Sequence, residues 1–233
     1  MPICLVTGAT EGIGRATAFA LGYGGWQVGV CARTRAKMDA LVEELGAAGI
    51  RAAGHAGDVA CEADAHAIVS TVTTALGCVD ALINNAGVAI VKRFEELTLA
   101  DWDATMATNL RGLYLMTREV LPGMRERRHG AIVNVASLAG RHGFVGGSAY
   151  AASKHGVLGF SRALMLEVRK ENVRVIAVCP GSVDTAMIRG HPLLKSDPSR
   201  ILQPEDVAAT IAHALALPER ALVSELDIRP TNP

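Results

Sequence analysis

Ser137, Tyr150 and Lys154 are residues of the types that move a proton on and off a substrate oxygen. Tyr150 and Lys154 stand four positions apart, slightly more than one helical turn, so on a helix their side chains leave from the same face. A nearby ammonium favours a phenolate, so Lys154 is expected to lower the Tyr150 pKa from its ordinary value of about 10. A phenol tuned in this way can give or take a proton near neutral pH. Ser137 lies 13 positions before Tyr150 (150 − 137) and supplies a hydroxyl to hold the same oxygen. A Tyr–Lys pair at this spacing is, taken alone, most often a solvated helix face, so the surrounding elements decide its meaning.

A second constellation lies near the start of the chain. The apolar run Ile3–Thr7 leads into Thr7-Gly8-Ala9-Thr10-Glu11-Gly12-Ile13-Gly14. Gly8 permits a tight turn at a strand end. Gly12 and Gly14 let backbone approach a pyrophosphate and let a helix pack closely on a sheet. The helix that follows presents free N–H groups to an anion. Strand, glycines and helix in this order predict a bound dinucleotide rather than a plain corner. The next apolar run ends at Cys31-Ala32-Arg33, with no acidic residue to accept a ribose 2′-hydroxyl. Arg33, with Arg35 close by, can pair with a 2′-phosphate, which predicts NADP(H) as the preferred cofactor and leaves NAD(H) possible. The competing reading of Arg33 is an exposed loop arginine.

The elements that must position these groups are legible as periodicity. Strand-like runs occur at 3–7, 27–31, 51–56, 79–84, 131–136, 173–178 and 222–228. Most are nearly continuous in apolar residues, as in parallel strands buried on both faces; the run at 51–56 is weaker. Helix patterns fall between them near 13–23, 35–47, 62–76, 101–127, 149–171 and 205–216. Asp101 is expected to cap the fourth and Pro204 to open the last, whereas Pro122 should kink or end the fourth. Strand–helix alternation predicts an α/β fold: a doubly wound, mostly parallel sheet of about seven strands with helices on both faces. No linker divides the chain, so one domain over 1–233 is expected.

Composition narrows the function. Lys plus Arg equals Asp plus Glu, 23 of each, which gives no footprint for nucleic acid or an anionic membrane. Half the residues are hydrophobic but only 4% are aromatic, so Ala, Val, Leu and Ile must fill the core. The five cysteines never form C-x-x-C; Cys4, Cys31 and Cys179 lie in apolar runs and read as small buried hydrophobes. Neither a zinc site nor a disulfide framework is expected, and a reducing, cytoplasmic compartment is the natural reading. The first apolar run begins at Ile3 with no basic stretch before it, and no run approaches the roughly 18 residues of a spanning helix.

Taken together, these residues resemble the short-chain dehydrogenase/reductase (SDR) family over essentially the whole chain. The resemblance rests on the turn from Thr7 to Gly14, Asp58-Val59, Asn84-Asn85-Ala86-Gly87, Asn109, Ser137, Tyr150 with Lys154, and Pro180-Gly181-Ser182-Val183-Asp184-Thr185. It implies a Rossmann fold and an NADP(H)-dependent oxidoreductase that passes hydride between the nicotinamide and a carbonyl or secondary alcohol. Gly8, Thr10, Glu11, Gly12, Ile13 and Gly14 would then cradle the phosphates, although Glu11 stands where some NADP-dependent relatives carry a basic residue. Asp58 would accept from the adenine amino group beside the Val59 backbone. Asn85, Ala86 and Gly87 would lie along the adenosine ribose. Tyr150 and Lys154 would bond the nicotinamide ribose, and Pro180, Gly181, Val183 and Thr185 the carboxamide and diphosphate side. Asn109, a poor helix-interior residue, would open its helix and hold a water joining Lys154 to solvent.

The same resemblance makes 186–203 a short substrate lid, including Ile188, His191, Pro192, Leu193 and Leu194. A small ketone, hydroxy acid or 3-oxoacyl type of substrate is expected; the ending Ser224-Glu225-Leu226-Asp227-Ile228-Arg229-Pro230 lacks the Asp-Gly-Gly common in 3-oxoacyl reductases of the family and looks more like members acting on small hydroxy acids or assorted ketones. Arg141, His142 and Phe144 could line the pocket, Arg141 meeting a carboxylate, while His155 points off the catalytic face. A homodimer or homotetramer is expected through the helices near 101–127 and 149–171. The rival reading is a non-catalytic, dinucleotide-binding regulator on the same fold.

Overall fold

The computed structural model describes residues 1–189, 193 and 197–231. Seven strands form one sheet: β1 (Ile3–Thr7), β2 (Gln27–Ala32), β3 (Ala52–Ala56), β4 (Ala81–Asn84), β5 (Gly130–Val135), β6 (Val173–Pro180) and β7 (Glu225–Ile228). Their order is β3-β2-β1-β4-β5-β6-β7, and every neighbouring pair is parallel. The chain winds outward from β1 to β3, returns to the centre at β4, and winds outward again. The crevice between the carboxyl ends of β1 and β4 is thus the switch point at which such sheets hold ligands.

Strand periodicity assigns the core. Cys4, Val6, Ile83 and Val133 face helices α1 (Gly12–Tyr23), α2 (Arg35–Ala47) and α7 (Pro204–Ala216), through Leu21, Leu41, Leu45 and Ile211. The alternate residues Leu5, Leu82 and Ile132 face α3 (Glu62–Leu76), α5 (Gly112–Arg127) and α6 (Ser148–Val168), through Ile68, Val72, Met116 and Leu164. β1, β4 and β5 are buried along their whole length, which is why they lack polar alternation, whereas edge strand β3 is half-buried throughout.

The helix expected at 101–127 differs in three ways. It starts at Leu99 as α4 (Leu99–Met106), because Thr98 and not Asp101 is the cap. The Thr98 hydroxyl accepts from the Asp101 N–H at 3.1 Å, and the Asp101 carboxylate accepts from the Thr98 N–H at 3.0 Å. A π-helical turn, Ala107–Arg111, then joins α4 to α5. Finally, α5 runs past Pro122 to Arg127. Pro122 sits on the exposed side, where water can take the Arg118 carbonyl that its missing N–H leaves free.

Candidate active site

Ser137 leaves β5 at its carboxyl end and opens a short turn, its hydroxyl accepting from the Ala139 N–H at 3.1 Å. Tyr150 lies in the first turn of α6, and Lys154 follows one turn later. Lys154 is only 5% exposed. Its ammonium donates to the carbonyl of Val135, the last residue of β5, at 2.7 Å, and lies 5.7 Å from the centre of the Tyr150 ring. Ser137, Tyr150 and Lys154 line one cleft. Asn109 is buried in the π turn behind them. Its amide group donates to the Val88 carbonyl and the Ser153 hydroxyl, both at 2.9 Å, and its oxygen accepts from the Val88 N–H at 2.8 Å. Both amide protons are therefore taken by protein. The wide turn does open the helix, as expected of Asn109, and it points this side chain at the strand loop after β4.

The other end of the cleft is the turn between β1 and α1. Gly8 and Gly12 have φ of +62° and +53°, the left-handed region that favours glycine. A Cβ on Gly14 would lie 2.3 Å from the Gly8 carbonyl oxygen, so α1 can approach this closely only without a side chain. Asn85 fixes the turn from across the switch point, its amide donating to the carbonyls of Thr7 and Gly8 at 3.0 and 3.1 Å. No side chain caps α1, and no acid lies in its first turn, so its N–H groups are left to an anion. Thr10, Glu11, Ile13, Ala86, Gly87, Pro180, Gly181, Val183 and Thr185 also line the cleft, as do Val59 and Arg33. A glycine cradle, an uncapped helix and basic groups suit a dinucleotide diphosphate and its 2′-phosphate.

A sequence profile described as short chain dehydrogenase matches residues 2–192. The chain belongs to the short-chain dehydrogenase family. It is 36% identical over 227 residues to a 3-oxoacyl-(acyl-carrier-protein) reductase of Synechocystis sp. (strain PCC 6803), covering 95% of this chain and 92% of the relative. It is 38% identical over 236 residues to a D-threitol dehydrogenase of Mycolicibacterium smegmatis, covering 97% and 90%. Among solved structures, a point variant of actinorhodin polyketide ketoreductase with NADPH superposes with a TM-score of 0.90 at 37% identity, covering 97% of this chain and 95% of that one.

Electrostatics in this short-chain dehydrogenase depart from the simple expectation. Burial pushes the Tyr150 phenol above its ordinary value, and the Ser137 hydroxyl pulls it part of the way back. Lys154 does not lower it, because the ammonium is turned to the Val135 carbonyl rather than to the phenol oxygen. Burial instead lowers Lys154 itself, to about 8. Spacing brought the two residues together but did not reveal how dry their surroundings are.

Three expected site residues of the short-chain dehydrogenase stand behind the cleft wall: Gly14 packs α1, Asn109 clamps Val88, and Asp58 folds the turn before α3. The Asp58 carboxylate accepts from the Ala60 N–H at 2.9 Å, while its neighbours Gly57 and Val59 line the cleft. Arg141 is not in the lining. It binds Asp227 at 2.8 Å and Glu225 at 2.7 Å, tying the turn after Ser137 to β7. Phe144 instead meets the Tyr150 ring edge-on, with centroids 6.3 Å apart. Lys37 was missed: it lines the cleft beside Arg33 and Thr34, whereas Arg35 does not. The signal was there, since a helix beginning at Arg35 places residue 37 in its first turn. His155 bonds the Ala151 carbonyl of its own helix, off the site as expected. Of the lid, Ala186, Met187 and Ile188 line the cleft, and His191, Pro192 and Leu194 fall outside the described residues. Among the described residues no cluster suits a metal ion.

Proposed function

We propose that this chain is an NADP(H)-dependent oxidoreductase that reduces carbonyl compounds to secondary alcohols and runs in reverse on the alcohols. One observation carries the reading: Ser137, Tyr150 and Lys154 share a single cleft with the glycine turn and with Arg33. The reductase, dehydrogenase and ketoreductase relatives support it.

The uncapped start of α1, with Gly8, Thr10, Glu11, Gly12 and Ile13, would hold the diphosphate, Gly14 letting α1 pack closely behind them, and Thr185 beside Gly12 would close over it. Arg33 and Lys37 would pair with the 2′-phosphate. Val59 would meet the adenine, with Asp58 holding its turn from behind, and Asn85, Ala86 and Gly87 would lie along its ribose. Tyr150 and Lys154 would bond the nicotinamide ribose, with Pro180, Gly181 and Val183 at the nicotinamide edge. When bound, the cofactor supplies or takes the hydride. Ser137 then holds the substrate oxygen within reach of the Tyr150 hydroxyl. With its pKa raised, Tyr150 keeps its proton at neutral pH and is poised to donate it as the carbonyl oxygen gains charge. Lys154, fixed to Val135, holds the ribose in place, and the π turn at Asn109 holds the wall formed by Val88. Residues 186–203 act as the substrate lid of a single domain.

The protein works in the cytoplasm, in keeping with its buried unpaired Cys4, Cys31 and Cys179. No described helix is long and apolar enough to cross a membrane. It forms a homodimer or homotetramer through α5 and α6. Replacing Tyr150 with Phe should reduce turnover at least ~10²-fold, the usual scale of a lost general acid, while fluorescence titration still shows NADPH binding. Retained turnover in that variant removes Tyr150 from the mechanism. A wild-type protein that binds NADPH yet oxidises none of it across a carbonyl panel is a regulator instead.

A further inference from the structure

Arg141 stands just beyond the short turn Leu138–Gly140 that Ser137 opens. Backbone bonds make the segment one unit. The Gly140 N–H donates to the Ser137 carbonyl, and the Arg141 N–H to the Leu138 carbonyl, both at 2.9 Å. One side of this unit rests on α6, where a Cβ on Gly140 would come within 2.8 Å of the Lys154 carbonyl. The other side is gripped by β7, the Arg141 guanidinium donating to Asp227 at 2.8 Å and to Glu225 at 2.7 Å.

Glu225 receives a second arginine. Arg162, about two turns beyond Lys154 on α6, donates to the same carboxylate at 2.5 and 3.1 Å. Glu225 therefore joins the segment that carries Ser137 to the helix that carries Tyr150 and Lys154. β7 is itself paired with β6 from Ala177 to Pro180, so this clamp stands on the sheet. The Arg141 and Glu225 side chains are 25% and 20% exposed, drier than an ordinary surface pair.

Ser137 depends on such a hold. Its hydroxyl accepts from the Ala139 N–H inside its own turn and makes only a long contact, 3.5 Å, with the Pro180 carbonyl. It also bonds the Tyr150 hydroxyl, a contact that lasts only while the turn and the helix keep their spacing. A misplacement of about 1 Å between reacting groups can lose ~10²-fold in rate.

We propose that Arg141 and Glu225 are positioning residues of the reduction: their ion pair, shared with Arg162, fixes the Ser137 hydroxyl against Tyr150 and leaves cofactor binding to the other end of the cleft. The proposal rests on the reductase reading and adds to it two residues that touch neither substrate nor cofactor.

The test follows NADPH oxidation with ethyl acetoacetate at saturating NADPH. Rates are counted per NADPH-binding site titrated by fluorescence, so unfolded protein does not enter. Arg141→Met keeps the stem and removes the guanidinium. Its kcat/KM for the ketone should fall at least ~10-fold, while the Kd for NADPH stays within about 2-fold, because the glycine turn and Arg33 are untouched. Arg141→Lys restores a cation and should recover most of the loss. Adding Glu225→Gln to Arg141→Met should cost little more, since both break one clamp. Arg125→Met breaks a comparable pair with Glu171, at 2.6 Å, far from the site and should keep the wild-type rate. If Arg141→Met does not fold, Glu225→Gln, which keeps the side-chain shape, gives the same reading. Wild-type kcat/KM in Arg141→Met, losses that multiply in the double variant, or an NADPH Kd that rises as far as kcat/KM falls each overturn the proposal and leave the reductase reading standing. If the wild-type protein oxidises no NADPH with ethyl acetoacetate or any other ketone, the reductase reading fails, and the proposal falls with it.

Discussion

Lys154 is where stability and chemistry pull against each other. Its ammonium is almost fully buried with one carbonyl partner, and burial lowers its pKa from 10.5 to about 8. A lowered lysine pKa means that the unfolded chain binds this proton more tightly. The penalty is therefore complete below pH 8, and stability recovers as pH rises from 8 to 10.5. Lys154→Met should stabilise the protein at pH 7, by about 3 kcal/mol at most, while removing activity. Urea melts should show that gain shrinking at pH 10; a variant no more stable than wild type at pH 7 counts against the assignment. At the opposite end, the Arg33→Ala, Lys37→Ala double variant should raise the Kd for NADP(H) at least ~10-fold more than that for NAD(H), because only the former carries the extra phosphate. Equal losses would remove both residues from phosphate recognition. The chemistry-bearing residue types were legible in the sequence, down to Ser137, Tyr150 and Lys154. Their protonation was not, because four-residue spacing fixes a shared face but not the dryness of that face. Lys37 escaped notice although the start of α2 at Arg35 was legible, because a helix pattern gives the first turn but not which of its side chains lines the cleft.

At the scale of elements, the helix from Leu99 to Arg127 shows what periodicity leaves out. One wide turn at Ala107–Arg111 barely alters an apolar pattern, yet it rotates Asn109 toward Val88 and Ser153. The strand runs were far more legible, because β1, β4, β5 and most of β6 are buried on both faces and read as nearly continuous apolar segments. The start of α4 turned on a reciprocal pair rather than a single residue, so Asp101 was recognised and Thr98 was not. That pair is testable. Thr98→Ala should cost about 1 kcal/mol, the usual value of a lost cap. Lys92 beside Asp101, with the two Thr98 donors, holds the Asp101 carboxyl down to about 2. A depressed carboxyl stabilises the fold above its ordinary value of 3.8, and that contribution drains away as pH falls toward 2. Melting temperatures of wild type and Asp101→Asn should therefore converge between pH 4 and pH 2. A difference that stays constant across that window would mean that the carboxylate charge contributes nothing to the cap.

For the molecule as a whole, strand count was legible but strand order was not: the runs are alike, and only the reversal of winding at β4 distributes them about β1. The same uniformity hides which outer face would meet the second copy proposed above. Exposed apolar groups favour the α5–α6 side. α5 and α6 cover one side of the sheet, and between α6 and the α4–π-turn segment that leads into α5 lies a hollow lined by Met106, Leu110, Tyr114, Gly156 and Phe160 together with Asp103 and Arg111. Tyr114 is 47% exposed, with the Arg118 guanidinium 5.9 Å from its ring centre, and Leu166, further along α6, is 59% exposed. Gly156 keeps the hollow open, since a Cβ there would approach Leu110 to 3.0 Å. With 23 charges of each sign, the chain carries no net repulsion to oppose self-association at neutral pH. Apolar helix faces of this kind bind most strongly through a central aromatic, so Tyr114→Glu places a charge where packing is needed most. Sedimentation velocity should show a dimer or tetramer for wild type at pH 7 and again at pH 8.5, away from the neutral point. The Tyr114→Glu protein should sediment as a monomer with its circular dichroism unchanged. A wild type that is monomeric at both pH values would leave α5 and α6 without a partner, and an oligomer that survives the substitution would move the contact to another face.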